Sequence, residues 1–216
     1  MVSLTQYDFI KFCCMSNRES QRKFVHNKFG KEKTGGCNYH FHFYQRMQDF
    51  YSERNNNVND WSFFDPFIKK HPDCEKKVNS LKTIHNRFRI IKPLPIVQRF
   101  WIHGQIQVKV DRVIHLNLDG IEHLVFLDAY KDGLIRVETE MNLSLIGITH
   151  RQQGENTIIS SWQLAKPENE FLSISNLKPF FVKNLERQAE TLEEMIKKLY
   201  PDKLDTPNSD DQDEAA

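Results

Sequence analysis

No apolar run in these 216 residues approaches the ~18 that a membrane-spanning helix needs, so no membrane partner is expected. The opening stretch MVSLTQYDFIKF has neither a basic n-region nor a continuous apolar core, which argues against a signal peptide. Without export, the 4 cysteines are expected to be reduced thiols in a cytoplasmic protein. Glycine is sparse, at 8 residues against 16 phenylalanines, and that excludes low complexity and wholesale disorder. Also missing are a phosphate-binding loop, G-x-G-x-x-G, G-x-S-x-G and H-E-x-x-H. Their absence lowers the prior for kinases, dehydrogenases, α/β-hydrolases and zincins. No internal repeat is visible. Net charge is nearly absent too, at +1, but it is unevenly spread: residues 1–100 hold 18 Lys and Arg against 9 Asp and Glu, and the remainder holds 12 against 20. A basic half of this kind suits DNA or RNA, or a surface that docks on an acidic partner.

What is present reads as an α+β protein. Ser3 or Thr5 can cap a first helix with Phe9, Ile10 and Cys13 on its apolar face. A basic second helix carries Phe24, Val25 and Phe29 up to Gly30, and a third runs from about Tyr39 to Glu53. Asp60 is placed to cap the next segment, where Trp61, Phe64 and Phe67 form an aromatic stripe. Core packing is the expected role of that stripe, with a base-stacking platform as the second reading. Asp73 opens a helix with Val78, Leu81, Ile84, His85 and Phe88 at helical spacing, its other surface covered by Lys76, Lys77, Lys82, Arg87 and Arg89. Lys92-Pro93-Leu94-Pro95 stops it. The expected organisation is therefore a helical region over residues 1–91, an α/β unit over 97–200 with a small mixed sheet and flanking helices, and a disordered acidic tail over 201–216.

The α/β unit is organised around residues 104–150. Ile106, Val108, Val110, Ile114, Leu116 and Leu118 share one parity, the period of a half-buried strand. Asp119-Gly120 then suits a type I′ turn, and Leu124 to Ala129 is apolar enough for a strand covered on both faces. Val137, Met141, Leu145 and Ile148 return to helical spacing. A strand at Thr157 to Leu164, a short one at Phe171 to Ile174 and a long helix from Leu177 to Tyr200 complete the pattern, with Pro179 tolerable only in that helix's first turn.

A strand bearing an acid, a turn, and a second strand ending in an acid and a lysine is the layout of metal-dependent nucleases. Two carboxylates there hold Mg²⁺, and a lysine sits near the phosphate. The acid here is Asp111, the lysine Lys131, and the following helix is RVETEMNLSLI. In this order of elements the chain resembles the PD-(D/E)XK nuclease fold, its RecB-like branch in particular. That resemblance implies catalytic roles for Asp111 and Lys131 and metal ligation by Asp111. It also wants an acid two residues before the lysine, where this chain has Ala129. Asp128, one position earlier, would face the other way, so Glu138 or Glu140 of the helix becomes the expected second ligand, with Glu138 preferred. More loosely, the text from YDFIKF through HFYQRMQDF, KVNSLKTIHNRF and FWIHGQIQVKV to LNLDGIEHLVFLDAYK resembles a family of uncharacterised bacterial proteins. Cys37, His40 and His42 form C-x2-H-x-H, a weak zinc spacing.

The sequence thus suggests a nucleic-acid-associated bacterial module on a nuclease-like core, without turnover. Lys76, Lys77, Lys82, Arg87 and Arg89 are the phosphate-facing residues of that reading. A protein-interaction or adaptor protein with an acidic tail, and an active Mg²⁺ nuclease, stand as alternatives.

Overall fold

The structure, a computed structural model, describes residues 1–30, 39–52, 55, 57–95, 99–129, 135–150, 157–164, 171–174 and 177–205. In chain order the elements are β1 (Val2–Thr5), α1 (Gln6–Cys13), α2 (Arg18–Phe29), α3 (Tyr39–Phe50), α4 (Asp65–Lys70), α5 (Glu75–His85), β2 (Ile91–Leu94), β3 (Arg99–His103) and β4 (Ile106–Val110). There follow β5 (Val113–Leu118), β6 (Ile121–Asp128), α6 (Arg136–Thr149), β7 (Ile158–Gln163), β8 (Phe171–Ile174), α7 (Pro179–Leu199) and α8 (Asp202–Asp205). Short 3₁₀ turns at Trp61–Phe64 and Pro72–Cys74 precede α4 and α5. The α+β class and the small mixed sheet with flanking helices are as the sequence led us to expect. Among the described residues, no helix is long and apolar enough to cross a membrane.

The chain divides into two units, and neither is continuous in sequence. The first comprises residues 1–35, 98–111 and 178–216; the second comprises 36–97 and 112–177. This partition cuts across the linear division expected from the hinge at Lys92–Pro95. The helices of the N-terminal region are shared between the two units, and α7 belongs with the chain's beginning.

In the first unit a three-stranded sheet has the order β1-β4-β3. Val2 and Leu4 bury one face of β1, which pairs parallel to β4 from Val2↔Ile106 to Thr5↔Lys109. Thr5 then ends the strand and caps α1, its Oγ1 accepting the Asp8 N–H at 3.2 Å. Phe9, Ile10 and Phe12 of α1 are fully buried. α7 lays down Leu185, Ala189, Leu192 and Ile196, an i, i+4, i+7, i+11 stripe. Its Pro179 falls in the first turn, where a missing N–H costs nothing. Gln21 of α2 donates to Gln188 of α7 at 2.9 Å, and His26 meets the Tyr200 hydroxyl at 2.5 Å.

The β3–β4 hairpin turns at Gly104-Gln105. Gly104 has φ 56°, the conformation that a II′ turn needs at its first central position. The Glu193 carboxylate of α7 accepts the Gln105 N–H at 2.8 Å and occupies the space a Cβ on residue 104 would take. Gly104→Ala is therefore expected to lower stability by about 1–2 kcal/mol, the usual cost of a left-handed non-glycine residue. Urea titration checks this; a neutral result would mean that the turn can change type.

In the second unit a five-stranded sheet has the order β2-β5-β6-β7-β8, antiparallel except for the parallel β6–β7 pair. The β5–β6 turn is the expected type I′, with φ 51° at Asp119 and 93° at Gly120. Asp119 Oδ1 also accepts the N–H groups of Arg89 and Ile90, at 2.9 and 2.8 Å, and so ties the end of the α5 segment to the hairpin tip. One sheet face presents Ile114, Leu116, Leu118, Val125, Leu127, Ala129, Trp162 and Leu164 to the aromatic and aliphatic side chains of α3, α5 and the segment between them. Phe50 is central there, with ring centroids of Tyr51, Trp61 and Phe64 all 5.0 Å away. The Trp61–Phe64–Phe67 stripe packs into this core, Phe67 lying 5.9 Å from Phe43.

Four expectations are corrected. Residues 106–118 are not one strand: the chain leaves the first sheet after Val110 and enters the second at Val113, with charged Asp111-Arg112 between. The parity of apolar residues continues across the break and conceals it. The burial pattern changes there, from strict alternation in β4 to both faces covered in β5. β1 is a strand inside the region expected to be helical, and β2 starts at that region's last residue, Ile91; Pro93 is accommodated because β2 lies at a sheet edge, where no ladder N–H is needed on the outer side. In α6, Val137 is 53 % exposed, while Glu138, Thr139, Asn142 and Ser144 are buried. Finally, the first residues of the acidic tail form α8; the tail from 206 onward lies outside the described residues.

Candidate functional site

The second unit gathers charged and polar side chains at one end of its central strands. Asp128, the last residue of β6, is completely buried. Strand alternation sets its direction: Leu127 and Ala129 point into the aromatic core, so Asp128 points to the opposite face, the side on which α6 packs. Across the parallel ladder its neighbour is Gln163 of β7, and the Leu164 N–H closes the pair by donating to the Asp128 carbonyl at 2.8 Å. Gln163 Nε2 donates to Thr139 Oγ1 at 3.1 Å, and Thr139 Oγ1 donates onward to the Ile135 carbonyl at 3.1 Å. The first turn of α6 is thereby fixed against the ends of β6 and β7.

Three further residues complete the cluster. Arg112 precedes β5; its carbonyl accepts the Leu127 N–H at 3.3 Å and its guanidinium lies 4.5 Å from the Tyr44 ring centroid. The Tyr44 hydroxyl, on α3, accepts the Ala129 N–H at 3.0 Å. Burial pushes the Tyr44 phenol well above its ordinary pKa; Arg112 opposes this and Asp128 adds to it. Lys77 of α5, with Nζ 5.9 Å from the Phe43 centroid, has its pKa lowered by desolvation, against the stabilising fields of Cys74, Asp128 and Asp73. The buried Asp128 carboxylate thus acts electrostatically on the Tyr44 phenol and the Lys77 ammonium, and Arg112 acts on Tyr44.

The expected site residues fall as follows. Asp111 ends in the first unit, 3.9 Å from Lys109 Nζ, with its side chain 23 % exposed. Glu138 belongs to the second unit and is spent on its own helix: Oε2 accepts the Ile135 N–H at 2.9 Å, one half of a capping box. Glu140 pairs with Arg136 at 3.3 Å. Lys131 lies outside the described residues, as does Cys37 of the C-x2-H-x-H motif. Among the described residues no group of three or more His, Cys, Asp or Glu side chains could hold a metal ion. Mg²⁺ needs hard oxygen donors left open to it. A fully buried Asp128 and a Glu138 committed to a helix cap do not fit that need.

Of the five basic residues, Lys76, Lys82, Arg87 and Arg89 are exposed, as expected. Lys77 is not on that surface. It stands four residues before Leu81, on the flank of the buried stripe, which turns its ammonium toward the core.

Sequence reasoning missed Tyr44, Arg112 and Gln163. One local signal was available: an aspartate inside the run LVFLDA, in a strand covered on both faces, requires partners that only distant segments can supply.

No family model matches the chain and no curated protein matches it. Among solved structures it is similar to SSO0001, with a TM-score of 0.37 and 10% identity, over 93% of this chain and 86% of that one.

Proposed function

We propose that the second unit is a nucleic-acid-associated module on a nuclease-like core that has no catalytic turnover. The order β5, β6, α6, then β7 parallel to β6 supports the core. The observation that carries the absence of turnover is the direction in which Ala129 points. The position where a metal-dependent nuclease keeps its second acid is Ala129, which faces the apolar core. The neighbouring Asp128 carboxylate is completely buried, where a metal nuclease would need it open to a cation from solution. Lys76, Lys82, Arg87 and Arg89 supply the exposed positive charge for phosphates.

Binding of short DNA and RNA oligonucleotides, followed by fluorescence anisotropy across a salt series, tests this reading. Changing Lys76, Lys82, Arg87 and Arg89 together to Ala is expected to weaken binding at low salt. The slope of log K against log salt should shrink by about 3, at roughly 0.7–0.9 for each phosphate that is no longer neutralised. An unchanged slope, or no binding at low salt, counts against the module. Mg²⁺-dependent cleavage by the purified chain that disappears in Asp111→Ala would overturn the lack of turnover.

A further inference from the structure

β3 is the outer strand of the first unit's sheet, and among the described residues it pairs with β4 alone. Proteins ordinarily protect such an edge with proline, lysine, a bulge or a covering segment. β3 reads Arg99-Phe100-Trp101-Ile102-His103, with no proline and no lysine. Its two faces are unequal. Trp101 and His103 turn toward the helices, Trp101 lying 5.3 Å from the Phe9 ring and His103 Nε2 lying 3.4 Å from Glu190 Oε1 of α7. Phe100 and Ile102 turn the other way and are 46 % and 54 % exposed. The same strand carries an unsatisfied group: Arg99 Nε is buried, without a hydrogen-bond partner among the described residues.

We propose that β3 pairs antiparallel with β3 of a second copy of this chain, on a two-fold axis through Trp101. The proposal concerns the first unit and goes beyond the reading given for the second. A two-fold antiparallel pair centred on residue 101 sets Phe100 opposite Ile102 of the other copy, twice, so all four exposed apolar side chains become cross-strand neighbours on one face. On the helix face it sets Arg99 opposite His103 of the other copy, whose ring is held by Glu190. The guanidinium whose Nε lacks a partner among the described residues is thereby brought toward a carboxylate that is 64 % exposed. Apolar and charged complementarity thus come from one register, and that register is self-complementary. This selects a second copy over an unrelated strand as the occupant. Two three-stranded sheets would become one of six strands.

The full chain is expected to sediment at twice its monomer mass at sub-millimolar concentration. Ile102→Lys should raise the dimer dissociation constant roughly tenfold or more, since each substitution acts at two places in the interface. Far-UV circular dichroism should not change, because Ile102 is exposed. Arg99→Glu should also weaken the dimer, and adding Glu190→Arg should restore it. Register is tested by disulfide trapping: F100C mixed with I102C should give more covalent dimer on oxidation than either variant alone, above the wild-type background. A chain that stays monomeric overturns the proposal. So does a dimer indifferent to Ile102→Lys, or trapping that is equal in the mixture and in the single variants.

Discussion

Trp162→Ala is expected to cost about 3–5 kcal/mol of stability, the range for removing a fully buried large aromatic side chain. Trp162 has no exposed surface, lies parallel to Phe88 with centroids 6.0 Å apart, and meets Tyr51 edge-on at 5.9 Å. It occupies the centre of the sheet face that the α3–α5 segment covers, so the cavity would open where relaxation is hardest. The indole adds a second consideration: Nε1 is buried with no acceptor among the described residues. That unsatisfied donor already costs the fold something on the order of 1–3 kcal/mol. Trp162→Phe, which removes the donor and keeps most of the ring, should therefore lose less than half as much as Trp162→Ala. Urea titrations of both variants decide the matter. Equal losses would mean that the indole N–H is hydrogen-bonded in solution and that its loss, common to both variants, dominates the cost.

The elements most legible in the sequence were those with local causes. Asp119-Gly120 announces its turn because few residues tolerate positive φ twice in succession, and Pro179 marks the first turn of α7 because it can stand nowhere else in a helix. β1 is the contrary case. Val2–Thr5 is four residues long and becomes a strand only because β4, about a hundred residues away, offers it a parallel edge. Nothing within reach of a sequence window encodes that pairing. The same holds for the break at Asp111-Arg112. Both strands keep the same parity, so periodicity alone runs across the join, and only the change from one covered face to two separates them.

The site was legible in part, and its least legible member was its centre. A nuclease motif points past Asp128, because it wants its acid one residue later, on the opposite strand face. In the structure the face that Asp128 occupies is the one to which α6 brings Thr139 and β7 brings Gln163. The groups on which its charge acts, Tyr44 and Lys77, come from two other segments and converge through tertiary packing alone. Glu138 was correctly placed one turn into the helix, but the residue reaches back to its own N-terminus, a use that a motif search does not weigh.

Acid should destabilise the second unit through His85. This histidine is 3 % exposed at the end of α5; its Nδ1 lies 3.0 Å from the Tyr51 hydroxyl and its Nε2 lies 3.0 Å from Asn59 Oδ1. The Asn59 oxygen can only accept, so Nε2 carries the proton and Nδ1 accepts from Tyr51, whose own pKa burial holds well above its ordinary value. A neutral ring satisfies both hydrogen bonds. Burial lowers the His85 pKa from 6.5 to about 4. Between those values the unfolded chain binds a proton that the folded chain refuses, so stability is complete above pH 6.5 and drains away as pH falls toward 4. At about 1.36 kcal/mol per unit, with some allowance for solvent screening, the loss is about 2–3 kcal/mol. Urea titrations at pH 7 and near pH 4 should reveal it. His85→Gln, which offers both an N–H and an acceptor at lower bulk, should be less stable than wild type at pH 7 and should lose less on acidification. A variant with the same acid dependence as wild type would assign that dependence to the carboxylates and leave His85 uninvolved.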